Sequence, residues 1–212
     1  FGLLTTMRAY DVITQTPEGK YALGLRLFEY GRQVERKWDI SRVARPYMEH
    51  LSQRTGASVM LSICEGGSVI TLDQVEARDK LRIVSDAGAR LPIYCTSQGK
   101  VFLAHMPRAQ AEKLLRRQSM TQFTPHTITD VSALLQEVDA CRTNGFAIEN
   151  GEYKIGLRSI SAPVYTVDRT VRYTVGVIGM FRSTHSDEFR SAVEQVCATA
   201  ATISAALGYR EA

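Results

Sequence analysis

The residues best placed to do chemistry lie in the segment 85–106, SDAGARLPIYCTSQGKVFLAHM. Gly88 and Pro92 interrupt regular structure in its first half, whereas Thr96 and Ser97 are typical helix N-caps ahead of apolar residues at helical spacing. The first N–H groups of such a helix lie at the positive end of its dipole, where a carboxylate binds well. The segment therefore predicts an anion site at a helix start or, as the simpler alternative, a capped helix after an ordinary loop.

Catalysis has one candidate nucleophile in the same segment. Cys95 precedes the predicted helix, and a helix N-terminus lowers the pKa of a thiol. His105 and His126 are candidate bases, but the sequence fixes neither near Cys95 and supplies no third orienting group. We therefore expect no catalytic residues and a thiol that is buried or lines a ligand pocket. Alkylating Cys95 during an activity assay would test the enzyme alternative.

The spacing of ligand-type residues predicts neither a metal site nor a cofactor. Four cysteines lie far apart without a C-x-x-C pair, and no His stands at ligand spacing to any of them. A phosphate-binding loop is not predicted either, because Gly66-Gly67 lies in a predicted hairpin and Gly99-Lys100 lacks the upstream glycine spacing. Scattered cysteines without a signal peptide suggest buried thiols in a reducing cytoplasm.

Composition is that of a globular domain. Of 212 residues, 44% are hydrophobic and 23% are charged, and no run of about 18 apolar residues predicts a membrane span. The net charge is +4, which is compatible with nucleic acid, but the basic residues are spread along the chain rather than massed.

The elements that would position these residues follow from periodicity and turn chemistry. A helical start leads into two short strands around the turn TPEG, and a helix begins near Leu25. The remaining pattern predicts a helix at 41–54, a hairpin around Glu65-Gly66-Gly67, a strand at 81–85, helices from Thr96 to Met106, at 108–117 and at 131–143, strands at 146–149, 159–165 and 173–180, and a last helix with a capping box at Thr184 and Asp187. This order predicts an α+β fold with about six mostly antiparallel strands.

Four stretches in register resemble one known family. They are KYALGLRLFEYG at 20–31, GARLPIYCTSQGKVFLA at 88–104, TPHTITD at 124–130 and GFAIENGEYKIGLRSISAPV at 145–164. Together they resemble the isocitrate lyase regulator (IclR) family of bacterial transcription factors. The resemblance implies a GAF-like effector-binding domain with a curved sheet at 40–212, a linker helix at 25–39, and at 1–24 the C-terminal remnant of a winged helix-turn-helix domain, namely the recognition-helix end and the wing.

The resemblance also implies partners. A family member binds operator DNA through the complete N-terminal domain, binds a small organic-acid effector, and forms homodimers or homotetramers; no membrane is involved. Arg8 and Lys20 would contact phosphates, which position a protein without specifying sequence. The alternative is a stand-alone GAF-like sensor without DNA binding, and the hairpin at 11–23 argues against it because such a sensor needs no wing.

The family's effector pocket maps onto positions scattered along this chain. By resemblance it is lined by Ser97, Gln98, Glu149, Ser159, Gly176 and Ile178, with Cys95 and Gly88 beside them. Gly176 and Ile178 equally suit plain sheet packing, and Ser159 could bond to the backbone. Glu149 either has a buried partner or ends an exposed strand.

Two departures from the family pattern bear on the ligand. The chain has Glu149-Asn150-Gly151-Glu152 where an acidic run is usual, and Gly176 and Ile178 where serine is frequent. Both changes favour a less polar, roomier pocket and a larger or partly aromatic acid.

Overall fold

The computed structural model describes residues 2–37, 40–77 and 88–210. By internal contacts the chain divides into two compact units, 1–40 and 41–212. Within the described ranges, no helix is both long and apolar enough to cross a membrane.

The first unit is a helix, a small hairpin and a second helix. Its elements are α1 (Gly2–Ala9), β1 (Ile13–Gln15), β2 (Tyr21–Leu23) and α2 (Leu25–Lys37). The hairpin is antiparallel, with Ile13 opposite Leu23. Its turn closes where the Gly19 N–H donates to the Thr16 carbonyl at 2.9 Å. Gly19 has a φ of +79°, a value that favours glycine, so the TPEG turn forms as the sequence predicts.

The second unit consists of runs of strands and helices, and its described elements apart from the strand at 90–92 follow the predicted order. Its elements are α3 (Ile40–Thr55), β3 (Ser58–Glu65), β4 (Ser68–Val75), β5 (Arg90–Pro92), α4 (Ser97–Ala104), α5 (Arg108–Arg117), α6 (Val131–Asn144), β6 (Ala147–Asn150), β7 (Arg158–Tyr165), β8 (Val171–Gly179) and α7 (Asp187–Ala206). The predicted α+β class with six antiparallel strands is confirmed.

The six strands form one sheet in the order β5-β4-β3-β8-β7-β6, and every described pairing is antiparallel. Side chains alternate between its two faces. Ile160 and Ala162 on β7 lie on the face against which α7 packs. Ser159 and Ser161 lie on the opposite face, and Ser161 contacts Ser97 of α4. The sheet therefore has an apolar face toward α7 and a polar, small-residue face toward α4.

Three local predictions need correction. The N-cap of α7 is Ser186, whose Oγ accepts from the Phe189 N–H at 3.2 Å, so the proposed box at Thr184 is wrong. Helix α4 ends at Ala104, two residues before the predicted end. Residues 90–92 form the short strand β5, which pairs with β4, although Gly88 and Pro92 predict no regular structure there. The strand predicted at 81–85 lies outside the described residues and stays a prediction.

Candidate functional site

The first turn of α4 is pressed against the loop that precedes it. Thr96 is the N-cap: its Oγ1 accepts from the Gly99 N–H at 3.2 Å and donates to the Pro92 carbonyl at 2.9 Å. A Cβ atom on Gly99 would lie 1.9 Å from the Ile93 carbonyl oxygen, so only glycine fits there. The N–H groups of Ser97 and Gln98 precede the first intrahelical bond and have no acceptor within the helix.

Ser97 joins α4 to the polar face of the sheet. Its Oγ donates to Ser159 Oγ at 2.9 Å and lies 2.7 Å from Ser161 Oγ. The neighbouring Gln98 places its Nε2 3.5 Å from the sulfur of Met60 on β3. All five side chains are buried. These side-chain contacts link the first turn of α4 to two different strands, β7 and β3.

Glu149 is buried at the end of β6, and its carboxylate is surrounded by donors. Oε1 accepts from the backbone N–H groups of Glu152 (2.6 Å) and Tyr153 (3.1 Å), and Oε2 accepts from Ser159 Oγ at 3.0 Å. Of the two alternatives for Glu149, the buried and partnered one is therefore the one observed. Burial raises the pKa of Glu149 above its usual value, against the lowering effect of these hydrogen bonds.

Lys100 lies one turn after Ser97 and is 1% exposed. Its Nζ lies 2.6 Å from Glu152 Oε1 and 3.5 Å from Glu137 Oε2, and it donates to the Ile148 carbonyl at 3.1 Å. Burial raises the pKa of Glu152, and the nearby Lys100 ammonium opposes that rise. Lys100 thus neutralises Glu152 on the turn that follows β6, one of the two buried carboxylates of this site.

The segment TPHT braces the same turn from the other side. Thr124 Oγ1 donates to the Gly151 carbonyl at 2.7 Å, and Thr127 Oγ1 donates to the Glu152 carbonyl at 2.6 Å. Gly151 has a φ of +71°, which glycine tolerates best. The turn carrying Glu149 and Glu152 is therefore held by hydroxyl groups as well as by Lys100.

Cys95 is fully buried, and its environment disfavours the thiolate. Burial first, and then the carboxylates of Glu152 and Glu149, raise the pKa of Cys95 to about 12. The helix N-terminus therefore does not activate this thiol, because desolvation outweighs the dipole, and the buried position agrees with the expected buried or pocket-lining thiol. His105, a candidate base, instead contacts the Val101 carbonyl (2.9 Å) and the Tyr165 hydroxyl (3.0 Å).

The remaining predicted pocket residues lie at the margins of this network. Gly176 faces Ser161 across the β7–β8 pair, and a Cβ on Gly176 would lie 2.2 Å from Ser161 Oγ. Ile178 lies opposite Ser159 and lines a cavity of about 260 Å³ together with Phe181. Both therefore contribute to sheet packing, and Gly176 provides the space that the Ser161 hydroxyl occupies.

Gly88, the last predicted ligand residue, adjoins β4 instead. Its N–H donates to the Thr71 carbonyl at 2.9 Å, and its φ is +86°. Among the described residues, no group of three or more His, Cys, Asp or Glu side chains could hold a metal ion.

The two residues predicted to contact DNA lie in the first unit. Arg8, in the last turn of α1, donates to Gln15 Oε1 of β1 at 2.9 Å. Lys20 lies at the end of the hairpin turn and is exposed.

Residues 32–205 match the family model described as "Bacterial transcriptional regulator IclR C-terminal". The chain belongs to the IclR family of bacterial transcriptional regulators. It is 31% identical over 208 residues to the HTH-type transcriptional regulator XynR of Escherichia coli, covering 98% of this chain and 82% of that protein. It is 28% identical over 211 residues to the E. coli repressor AllR, covering 99% and 78%. Because the curated relatives named here are transcriptional regulators, the stand-alone sensor is not favoured.

Solved IclR structures share the fold. The Thermotoga maritima IclR superposes with a TM-score of 0.80 at 26% identity, covering 98% of this chain and 84% of that one. An IclR homologue from Microbacterium hydrocarbonoxydans, solved in complex with 4-hydroxybenzoate, superposes with a TM-score of 0.81 at 22% identity, covering 98% and 84%. At that identity the second likeness concerns the fold alone.

For this IclR-family chain, sequence reasoning missed Lys100, Ser161 and the bracing threonines. Lysine side chains are normally exposed, so the residue type at position 100 predicts exposure and not burial. One signal was available for Lys100: every other residue from Ser97 to Ala104 is uncharged, which is unusual for a helix with an exposed face. The strand SISAPV also contains its second serine at alternate spacing from Ser159, which places both on one face.

Proposed function

We propose that residues 40–212 act as the effector-binding domain of an IclR-type regulator, and that a small organic acid binds between the first turn of α4 and strands β6 to β8. One observation carries the proposal. Ser97 in that turn joins Ser159, and through it Glu149, in a continuous buried chain of polar contacts. Each buried polar group must find a partner to offset its desolvation, so a chain of them is costly to bury. We take this cost as a sign that the chain serves ligand binding.

The acid end of the ligand is assigned to the start of α4. The first-turn N–H groups of Ser97 and Gln98 and the amide of Gln98 are donors, and the helix dipole favours an anion there by about 0.3–2 kcal/mol. The homologue that was solved with 4-hydroxybenzoate makes aromatic carboxylates reasonable first probes. This agrees with the less polar pocket that Gly176 and Ile178 favour.

A thermal-shift comparison of carboxylates with their amides tests the anion assignment. Benzoate and 4-hydroxybenzoate should raise the melting temperature of the protein, whereas benzamide and 4-hydroxybenzamide should do so less, because they carry no charge. Equal stabilisation by acid and amide would remove the anion argument.

Control of operator DNA is the second part of the proposal. The helix α1 and the hairpin β1–β2 have the order expected of the end of a winged helix, and Arg8 and Lys20 would contact phosphates. In a gel shift with the intact gene product and its own promoter, Arg8→Ala and Lys20→Ala should each weaken binding and reduce the salt slope by about one. Lys113→Ala, an exposed change on α5, is the matched control. Unchanged affinity and slope in both wing variants would place the phosphate contacts elsewhere.

Dimerisation through the first unit fits its apolar surface. Leu25 and Phe28 on α2 are 71% and 65% exposed, and Leu23 at the end of the hairpin is 81% exposed. Large apolar residues grouped in this way mark interaction surfaces. Paired winged helices also require paired chains. We therefore expect homodimers through this segment and tetramers through the effector domains. We expect the protein to act on DNA in the cytoplasm and to have no catalytic activity.

A further inference from the structure

The side chain of Gln15 connects the end of α1 to the turn of the hairpin β1–β2. Arg8 Nη1 donates to Gln15 Oε1 at 2.9 Å, and Gln15 Nε2 donates to the Gly19 carbonyl at 3.1 Å. All three residues are exposed. The amide accepts at one end and donates at the other, so it holds the arginine and is itself held by the turn.

Arg8 keeps its full positive charge in this arrangement, because the group that holds it is a neutral amide. In the part of the chain that the structure describes, Arg8 has no acidic partner. Only Nη1 bonds to Gln15, so the edge formed by Nε and Nη2 stays available for a bidentate contact with two oxygens of a phosphate. A carboxylate at position 15 would align the guanidinium in the same way but would neutralise it.

The hairpin is attached to α1 by backbone contacts that do not involve the side chain of Gln15. The Asp11 N–H donates to the Arg8 carbonyl at 3.1 Å, and the Gly24 N–H donates to the Val12 carbonyl at 2.8 Å. A Cβ atom on Gly24 would lie 1.9 Å from the Asp11 carbonyl oxygen, so the two ends of the hairpin are in close contact. Removing the Gln15 side chain should therefore release the Arg8 side chain and leave the hairpin in place.

Lys20, the other predicted DNA contact, points away from this arrangement. It precedes Tyr21, which lies opposite Gln15 in the hairpin. Successive side chains of a strand point to opposite faces, so Lys20 lies on the face that is turned away from Gln15 and Arg8. The two cations should therefore contact different phosphates and contribute to binding independently.

We propose that Gln15 is a positioning residue for operator DNA, whose amide orients the Arg8 guanidinium toward one backbone phosphate without neutralising it. This role rests on the proposed contact of Arg8 with DNA and adds to it the residue that orders the arginine beforehand. A long side chain loses rotamer freedom when it binds, and a side chain that is already held loses less. Gln15 thereby strengthens the phosphate contact without touching DNA.

The variant Gln15→Met tests this role in the intact gene product with its own promoter. Methionine has a similar length but no donor or acceptor at its end. The Kd for the operator should rise about three- to tenfold, the factor that corresponds to immobilising one long side chain. The slope of log affinity against log salt should stay unchanged, because Arg8 keeps its charge, whereas Arg8→Ala should lower that slope. Gln53→Met, the same change at an exposed position on α3, is the matched control.

The variant Gln15→Glu separates alignment from charge. The new carboxylate still accepts from Arg8, but it pairs with the cation and adds a negative charge beside the phosphate. The Kd should therefore rise further than in Gln15→Met, and the salt slope should fall to that of Arg8→Ala. A Gln15→Glu variant that binds as tightly as the natural protein would contradict the need for a neutral group.

Double variants show whether Gln15 acts through Arg8. In an Arg8→Ala background, Gln15→Met should have no further effect, because no guanidinium remains to be oriented. In a Lys20→Ala background it should keep its full effect. If Gln15→Met alone leaves affinity unchanged, or if its effect persists without Arg8, the positioning role is wrong although the proposed contact of Arg8 survives. If Arg8→Ala itself has no effect, that contact and the role of Gln15 are both overturned.

Discussion

Replacing Lys100 by methionine should destabilise the second unit strongly. The side chain is 1% exposed, and its Nζ contacts Glu152 Oε1 at 2.6 Å while that carboxylate is itself almost fully buried. Methionine fills a similar volume but leaves Glu152 as a buried charge without its cation, and breaking a buried pair in this way costs about 3–5 kcal/mol. For a chain of this size each kcal/mol lowers the melting temperature by about 2–4 °C, so a drop of about 10 °C is expected.

The loss should also depend on pH with a definite sign. Without Lys100, the pKa of Glu152 in the folded state rises further above its value in the unfolded chain, because burial is no longer opposed. The folded state then binds a proton more tightly than the unfolded state, so stability falls as pH rises through that interval. The deficit of Lys100→Met against the natural protein should therefore be small near pH 5 and large near pH 8.

Denaturant unfolding at both pH values measures these differences. The double variant Lys100→Met with Glu152→Leu removes both charges and should recover much of the loss, whereas Glu137→Gln, which changes a half-exposed carboxylate, should cost about 1 kcal/mol or less. A deficit below about 1 kcal/mol for Lys100→Met, or one of equal size at pH 5 and pH 8, would refute the reasoning about the buried pair.

Three further predictions concern packing, reactivity and assembly. Gly99→Ala should cost about 3 kcal/mol or more in denaturant unfolding because its Cβ would overlap a loop carbonyl, whereas Gly31→Ala in α2, with open space around it, should be neutral or stabilising; equal effects would contradict the close approach. Iodoacetamide at neutral pH should label Cys95 more slowly than the half-buried Cys64, as mass spectrometry of digests would show, and rapid labelling of Cys95 would contradict its burial. Light scattering at micromolar concentration should give a dimer or tetramer, and Phe28→Lys should shift it toward monomer; a monomeric natural protein would overturn the assembly proposal.

The sequence predicts most of the fold because the residues that form turns and end helices act locally. Gly66 and Gly67 adopt φ values of +60° and +78° in the β3–β4 turn, and Gly145 ends α6 in the left-handed conformation, as their positions indicate. The cap of α7 was harder, since Thr184 and Ser186 are both good caps and only the observed hydrogen bond to Phe189 separates them.

The candidate site depends on tertiary contacts and is less predictable. A strand-end carboxylate such as Glu149 can be exposed or buried, and the choice is made by Ser159 and by backbone N–H groups that the turn brings back to it. The same holds for Cys95, where the distance from solvent reverses the effect of the helix dipole. Burial depth and charge environment arise from the whole fold, and for Glu149 and Cys95 they leave no local pattern.

The close packing of α4 limits how this domain can diversify. Ser97, Gly99 and Lys100 each fulfil a different geometric requirement within four successive residues, so inserting or deleting one residue there would rotate the helix by about 100° and break all three contacts together. Ile178 lies opposite Ser159 on β8, where backbone hydrogen bonds to two neighbouring strands hold its position, whereas Gly176 beside it has no room for a Cβ atom. We therefore expect ligand preference to be retuned, by selection or in the laboratory, through substitutions on the strands, while α4 accepts almost no change in length or register.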